Sequence, residues 1–103
     1  MQTLTPQQFN DQRMKGITLL DVRQPGEVAI AAITGSINIP LNQLPARVQE
    51  LDSRKAVAIF CHHGVRSEMA ARFLEQQGFS AVSHLAGGID AWSVAIDPCV
   101  PRY

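Results

Sequence analysis

The segment Ala56-Val57-Ala58-Ile59-Phe60-Cys61-His62-His63-Gly64-Val65-Arg66-Ser67 holds the residues most able to do chemistry. An apolar, β-rich run ends on Cys61, a short loop containing Gly64 follows, and a helical pattern begins at Ser67. A cysteine so placed stands at the C-terminal end of a buried strand and beside a helix N-terminus. Backbone N–H groups and the positive end of the helix dipole both favour an anion there. The same field favours thiolate over thiol, and the thiolate is the nucleophile. Read without these surroundings, Cys61 would be a small core residue. Arg66 puts a cation at the helix start, where the dipole disfavours one, which points to a task beyond solvation. Gly64 lets the loop turn tightly. His62 and His63 read as exposed loop-tip residues, partly protonated near neutral pH, that tune the binding of an anionic substrate. Three consecutive residues do not readily converge on one ion, so Cys61, His62 and His63 are not read as a metal site.

The elements that must position this loop follow from periodicity and from the breakers. Thr5 before Pro6 predicts an N-cap and a helix running to about Lys15, stopped by Gly16. Ile17 to Val22 predicts a short buried strand with Asp21 and Arg23 at its end. These two are either a structural ion pair or the floor of the site, and Glu27 reads as a structural anion near the loop. Pro25 to about Ala32 predicts a short helix. Ser36 to Ile39 predicts a strand closed by Pro40. Leu41 to Leu51 is helical by period, with Pro45 dividing it into an irregular turn and a helix. Ala56 to Phe60 is the most hydrophobic strand and so the centre of the sheet. Ser67 to Gln77 predicts the clearest helix, with Met69, Ala70, Phe73 and Leu74 on one face and Gly78 at its end. Ala81 to Leu85 predicts a strand, in which His84 reads as a satisfied or exposed histidine. Gly87 and Gly88 predict a loop that allows close backbone approach, and Ile89 to Ser93 a last helical turn carrying Trp92. Strands alternating with helices predict a parallel sheet covered on both faces, with ligands at the C-terminal strand ends.

Composition bounds the function. The 103 residues are 46% apolar and 17% charged, with nine basic residues against nine acidic. That length and balance predict one globular domain over residues 1–103 with a short tail, 94–103. No basic field predicts nucleic-acid binding, and no basic amphipathic stripe predicts a membrane surface. The first residues lack the charged and apolar regions of a leader, so a cytoplasmic protein is expected. Cys61 and Cys99 make neither a disulfide framework nor zinc spacing, which fits a reducing compartment. Cys99, between Pro98 and Pro101, reads either as an incidental exposed thiol or as a resolving thiol for Cys61.

Four motifs in order give the chain a resemblance to the rhodanese family. Cys61 to Arg66, followed by Ser67, resembles its active-site loop. Leu19-Leu20-Asp21-Val22-Arg23, with Pro25 and Glu27, resembles its first strand signature. Gly35 to Pro40 resembles its second, and Gly87 to Trp92 its closing motif. The resemblance runs from about residue 4 to about residue 93. It implies an α/β three-layer sandwich: a five-stranded, mostly parallel sheet covered by helices on both faces. It further implies a sulfurtransferase in which Cys61 takes sulfur from thiosulfate or a persulfide donor, carries it as a persulfide, and yields it to cyanide, a thiol or a sulfur-carrier protein. His62, His63, Gly64, Val65, Arg66 and Ser67 would then form the anion-binding loop, with Asp21, Arg23 and Glu27 in support and with no metal or cofactor.

One departure stands out. Where the family usually has Gly-His-Ile, this chain has Ala31-Ala32-Ile33. Two other readings remain: a non-catalytic binding module, opposed by the presence of Cys61, and a phosphatase or arsenate reductase, opposed by a loop one residue too short. The last stretch, from Ala91-Trp92 through Ile96-Asp97-Pro98 to Pro101-Arg102-Tyr103, resembles the end of the rhodanese domain joined to ubiquitin-like-activating enzymes, which implies a sulfur-carrier protein as acceptor.

Overall fold

The computed structural model describes residues 1–103. Five strands, β1 Gln2–Leu4, β2 Thr18–Asp21, β3 Ile37–Asn38, β4 Val57–Phe60 and β5 Val82–Leu85, form one sheet in the order β1-β5-β4-β2-β3. Every pairing is parallel. Five α-helices complete the chain: α1 Pro6–Met14, α2 Pro25–Ile30, α3 Leu44–Arg47, α4 Val65–Gln76 and α5 Gly88–Ala95. Short 3-10 turns at Leu41–Gln43 and Val48–Glu50 flank α3. No helix is long and apolar enough to cross a membrane.

Strand periodicity divides the core. From β4, Val57, Ile59 and then Cys61 join the layer formed with α3 and α4, against Leu44, Ala70, Ala71 and Leu74. Ala58 and Phe60 join the opposite layer with Phe9, Ile89 and Trp92 of α1 and α5. Phe9 sets its ring edge-on to both Phe60, at 5.9 Å, and Trp92, at 5.7 Å. Each such buried aromatic stabilises by roughly 1.5–3 kcal/mol. This packing fixes α5 on the sheet, and α5 in turn presents its N-terminus to the Cys61 loop.

The structure differs from the periodicity reading in several places, among them these four. β1 was not expected; it is three residues long and lies at an edge, with β5 as its only partner. α4 begins at Val65, two residues before Ser67, because Gly64 takes φ +113° and turns the chain into the helix one step after the loop. α2 stops at Ile30, and α5 runs from Gly88 to Ala95 rather than from Ile89 to Ser93. Helix Pro6–Met14 has the expected cap: Thr5 Oγ1 accepts from the Gln8 amide at 3.2 Å, and Gln8 Oε1 accepts from the Thr5 amide at 2.9 Å.

Candidate functional site

Cys61 follows directly on β4 and is 1% exposed. Its Sγ accepts two backbone N–H bonds, from Gly64 at 3.1 Å and Ser67 at 3.3 Å. Both donors belong to the start of α4, where N–H groups have no intrahelical partner. Sulfur therefore sits in a polarised cradle at the positive end of a twelve-residue helix. A second helix N-terminus holds the other side of the loop. The Ile89 amide of α5 donates to the Cys61 carbonyl at 2.8 Å, and the Asp90 amide to the His62 carbonyl at 3.2 Å.

Ser67 does more than donate its amide. Its buried hydroxyl donates to the Gly64 carbonyl at 3.1 Å and lies 3.1 Å from His84 Nδ1. His84 is itself buried, on the same side of the sheet as Cys61, and its Nε2 meets Thr3 Oγ1 of β1 at 3.2 Å. A neutral ring donating from Nδ1 and accepting at Nε2 satisfies every partner. Burial pushes the His84 imidazole below its ordinary value.

Arg66 forks onto Glu27 of α2, with Nη1 to Oε2 at 2.6 Å and Nη2 to Oε1 at 2.8 Å. The Arg66 guanidinium holds the Glu27 carboxyl down to about 2. Glu27 is the structural anion near the loop, and it neutralises the one cation that the sequence offers to a donor. Glu27 Oε1 also accepts from the Tyr103 hydroxyl at 3.0 Å.

Asp21 and Arg23 are not the floor of the cradle. Asp21 pairs in register with Phe60, so both charged side chains fall on the α1/α5 side of the sheet, opposite the Cys61 thiol. They form a fully buried pair, Arg23 Nη2 to Asp21 Oδ2 at 2.7 Å and Nε to Oδ1 at 2.9 Å. Arg23 further donates to the carbonyl of Ala31 at 2.7 Å and to Tyr103 Oη at 2.9 Å.

The reading of His62 also changes. His62 is half-buried, its ring stacked on Tyr103 at 3.8 Å and tilted against His63 at 3.9 Å. Burial and the neighbouring His63 push its imidazole below the ordinary value, away from the partly protonated state expected. Trp92, on α5, is buried in the core. His63 and Val65 do stand exposed at the loop. Ala32, in the place of the family's usual histidine, is also exposed, while Ala31 lends its carbonyl to Arg23. The histidine's absence thus leaves no hole in the cradle. Tyr103 was missed altogether, since no local pattern marks it.

The chain's residues 5–95 match the model of the Rhodanese-like domain, and the protein belongs to that family. It is similar to a sulfurtransferase of Allochromatium vinosum, 38% identical over 77 residues that cover 75% of this chain and 72% of that protein. It is 34% identical to the thiosulfate sulfurtransferase GlpE of Ectopseudomonas mendocina, covering 86% and 82%. The chain spans only 30% of the length of another relative, the Rhodanese-like/PpiC domain-containing protein 12, chloroplastic, of Arabidopsis thaliana, 38% identical over 82% of this chain. Among solved structures, a rhodanese-related protein from Thermoplasma volcanium superimposes with a TM-score of 0.88 at 33% identity, over the full length of both chains.

Proposed function

We propose that this protein is a sulfurtransferase whose Cys61 carries sulfane sulfur as a persulfide. The observation that carries the reading is the pair of amide donors, from Gly64 and Ser67, on Sγ at the start of α4. In the first half-reaction the Cys61 thiolate attacks the outer sulfur of thiosulfate. A new S–S bond forms, the donor S–S bond breaks, and sulfite leaves with the electron pair. In the second, a nucleophile such as cyanide takes the terminal sulfur as thiocyanate and returns the thiolate. Negative charge on the Cys61 sulfur, as attacking thiolate and again as leaving thiolate, meets two preorganised N–H donors. The names of the relatives support transfer of sulfur in general, and the GlpE likeness supports thiosulfate as one donor.

Two features favour a persulfide or protein-borne partner over a free dianion in the natural reaction. Arg66 is neutralised by Glu27, and the half-buried His62 imidazole is held below its ordinary value, so the loop attracts a small dianion weakly. Val65 and Met69, one turn apart on α4, stand 71% and 58% exposed beside the loop. Such an apolar shoulder suits the flexible terminus of a sulfur-carrier protein better than it suits thiosulfate. We place the protein in a reducing, cytoplasmic setting, where Cys61 would be kept available as a thiol.

Intact mass after thiosulfate treatment tests the reading. Wild-type protein should gain the mass of one sulfur atom, lost again with cyanide or dithiothreitol, and Cys61→Ser should gain nothing. An unmodified wild type, or a Cys61→Ser variant that still converts thiosulfate and cyanide, overturns it. Single-turnover transfer from the persulfide to an activated carrier terminus and to cyanide, at matched concentration, ranks the acceptors.

A further inference from the structure

The family match ends at residue 95, and the chain beyond it returns to the site. Ile96, Val100 and Tyr103 pack against the apolar layer of α1 and α5. Arg102 fixes the same segment to α5, with Nε to Asp90 Oδ1 at 2.9 Å. At its end, Tyr103 makes three contacts with groups around the loop. Its ring lies flat on His62, with centroids 3.8 Å apart and planes within 8° of parallel. Its hydroxyl accepts from the buried Arg23 guanidinium at 2.9 Å and donates to Glu27 Oε1 at 3.0 Å. The carboxylate so held is the one that grips Arg66 through both of its oxygens.

We propose that Tyr103 is a positioning residue of the Cys61 loop, so that the tail 96–103 is part of the sulfur-transfer site. The inference rests on the sulfurtransferase reading. Through its hydroxyl, Tyr103 ties Glu27, and therefore Arg66, to the rigid Asp21–Arg23 pair. Through its ring, it holds His62, the residue next to Cys61, in one orientation. A phenol engaged at both ends loses little entropy to do this, since Arg23 is itself locked by five further hydrogen bonds. The charged and titratable groups facing His62 are His63 from its own loop, Glu27 from α2, Asp90 from α5 and Tyr103 from the tail. Asp90 is already engaged by Arg102.

The test combines a titration with kinetics in the full chain. In wild type, the Tyr103 ring shields His62 from water, and NMR should place the His62 midpoint below about 6.5. Tyr103→Ala should move that midpoint upward and lower kcat for thiosulfate-to-cyanide transfer at least fivefold. Tyr103→Phe keeps the ring and loses the hydroxyl, so it should keep the wild-type midpoint and show an intermediate kcat. If Tyr103→Ala does not fold, Tyr103→Leu takes its place. An unchanged His62 midpoint, or a shifted midpoint with wild-type kcat, overturns the proposal. Should the wild type itself transfer no sulfur, the sulfurtransferase reading fails; the iodoacetamide alkylation rate of Cys61 then replaces kcat, and equal rates in wild type and Tyr103→Ala overturn the positioning role separately.

Discussion

The Cys61 carbonyl oxygen lies 2.5 Å from the point where a Cβ on Gly88 would stand. No such contact is tolerated, and Gly88 also sits at φ +62°, where side chains are strained. The close approach lets the first amides of α5 reach the loop carbonyls. Gly88→Ala should therefore push α5 off the loop, lowering sulfur transfer more than tenfold and the melting temperature by several degrees. Gly26→Ala is the control: it meets nothing within 4 Å, needs no positive φ, and should be neutral. Normal transfer in Gly88→Ala would show that the contact between α5 and the loop is dispensable.

Glu27 governs how much positive charge Arg66 shows. Glu27→Gln should lower the KM for thiosulfate severalfold at low ionic strength, since an unpaired guanidinium then faces the dianion, and the gain should vanish in high salt. It should lower kcat as well, because the fork that orients Arg66 is lost. The same substitution should change acid stability. Folded Glu27 titrates at about 2 against 4.5 for a free carboxyl, so the unfolded chain takes up the proton first. Its stabilisation is complete above about pH 4.5 and fades as pH falls towards 2. After allowance for partial exposure this is on the order of 1–2 kcal/mol. Denaturant unfolding at pH 3 and pH 6 should show a larger wild-type advantage over Glu27→Gln at the higher pH.

How far the sequence revealed this site depends on how local each contact is. Cys61, Gly64 and Ser67 are contiguous, and a strand followed by a helix fixes their geometry, so their grouping was legible. The Asp21–Arg23 pair was legible as a pair, but its side of the sheet was not. That depended on Asp21 standing opposite Phe60, a register set by tertiary pairing. The Arg66–Glu27 fork spans 39 residues and the Tyr103–Glu27 bond 76, and no local propensity marks either. Strand β1 escaped because three residues carry too little alternation to distinguish an edge strand from a leading loop.

Phosphatase activity should be negligible. Only the Gly64 and Ser67 amides point at Sγ, and the single loop arginine is forked onto Glu27 rather than free to clamp a tetrahedral oxyanion. Hydrolysis of p-nitrophenyl phosphate should not exceed background. Turnover that disappears in Cys61→Ser would mean that the loop opens to take a phosphoryl group.

His84 joins the edge strand β1 to the cradle, through Thr3 on one ring nitrogen and Ser67 on the other. In His84→Leu the Ser67 hydroxyl keeps the Gly64 carbonyl but loses its buried donor, at a cost of about 1–3 kcal/mol. The sign of the pH dependence follows from burial. Folded His84 resists protonation, so its imidazole lies below the unfolded value of about 6.5. The unfolded state therefore binds the proton first, and the stabilisation, complete above about pH 6.5, is lost as pH falls through that value. Protonation would also oblige Nε2 to donate, reversing the bond that it now accepts from Thr3. The difference in unfolding free energy between wild type and His84→Leu should thus be largest near pH 8 and shrink by pH 5; His62 titrates in both proteins and cancels in the difference. A pH-independent difference would show that His84 contributes packing alone, and that the Ser67 amide keeps its aim at Sγ without it.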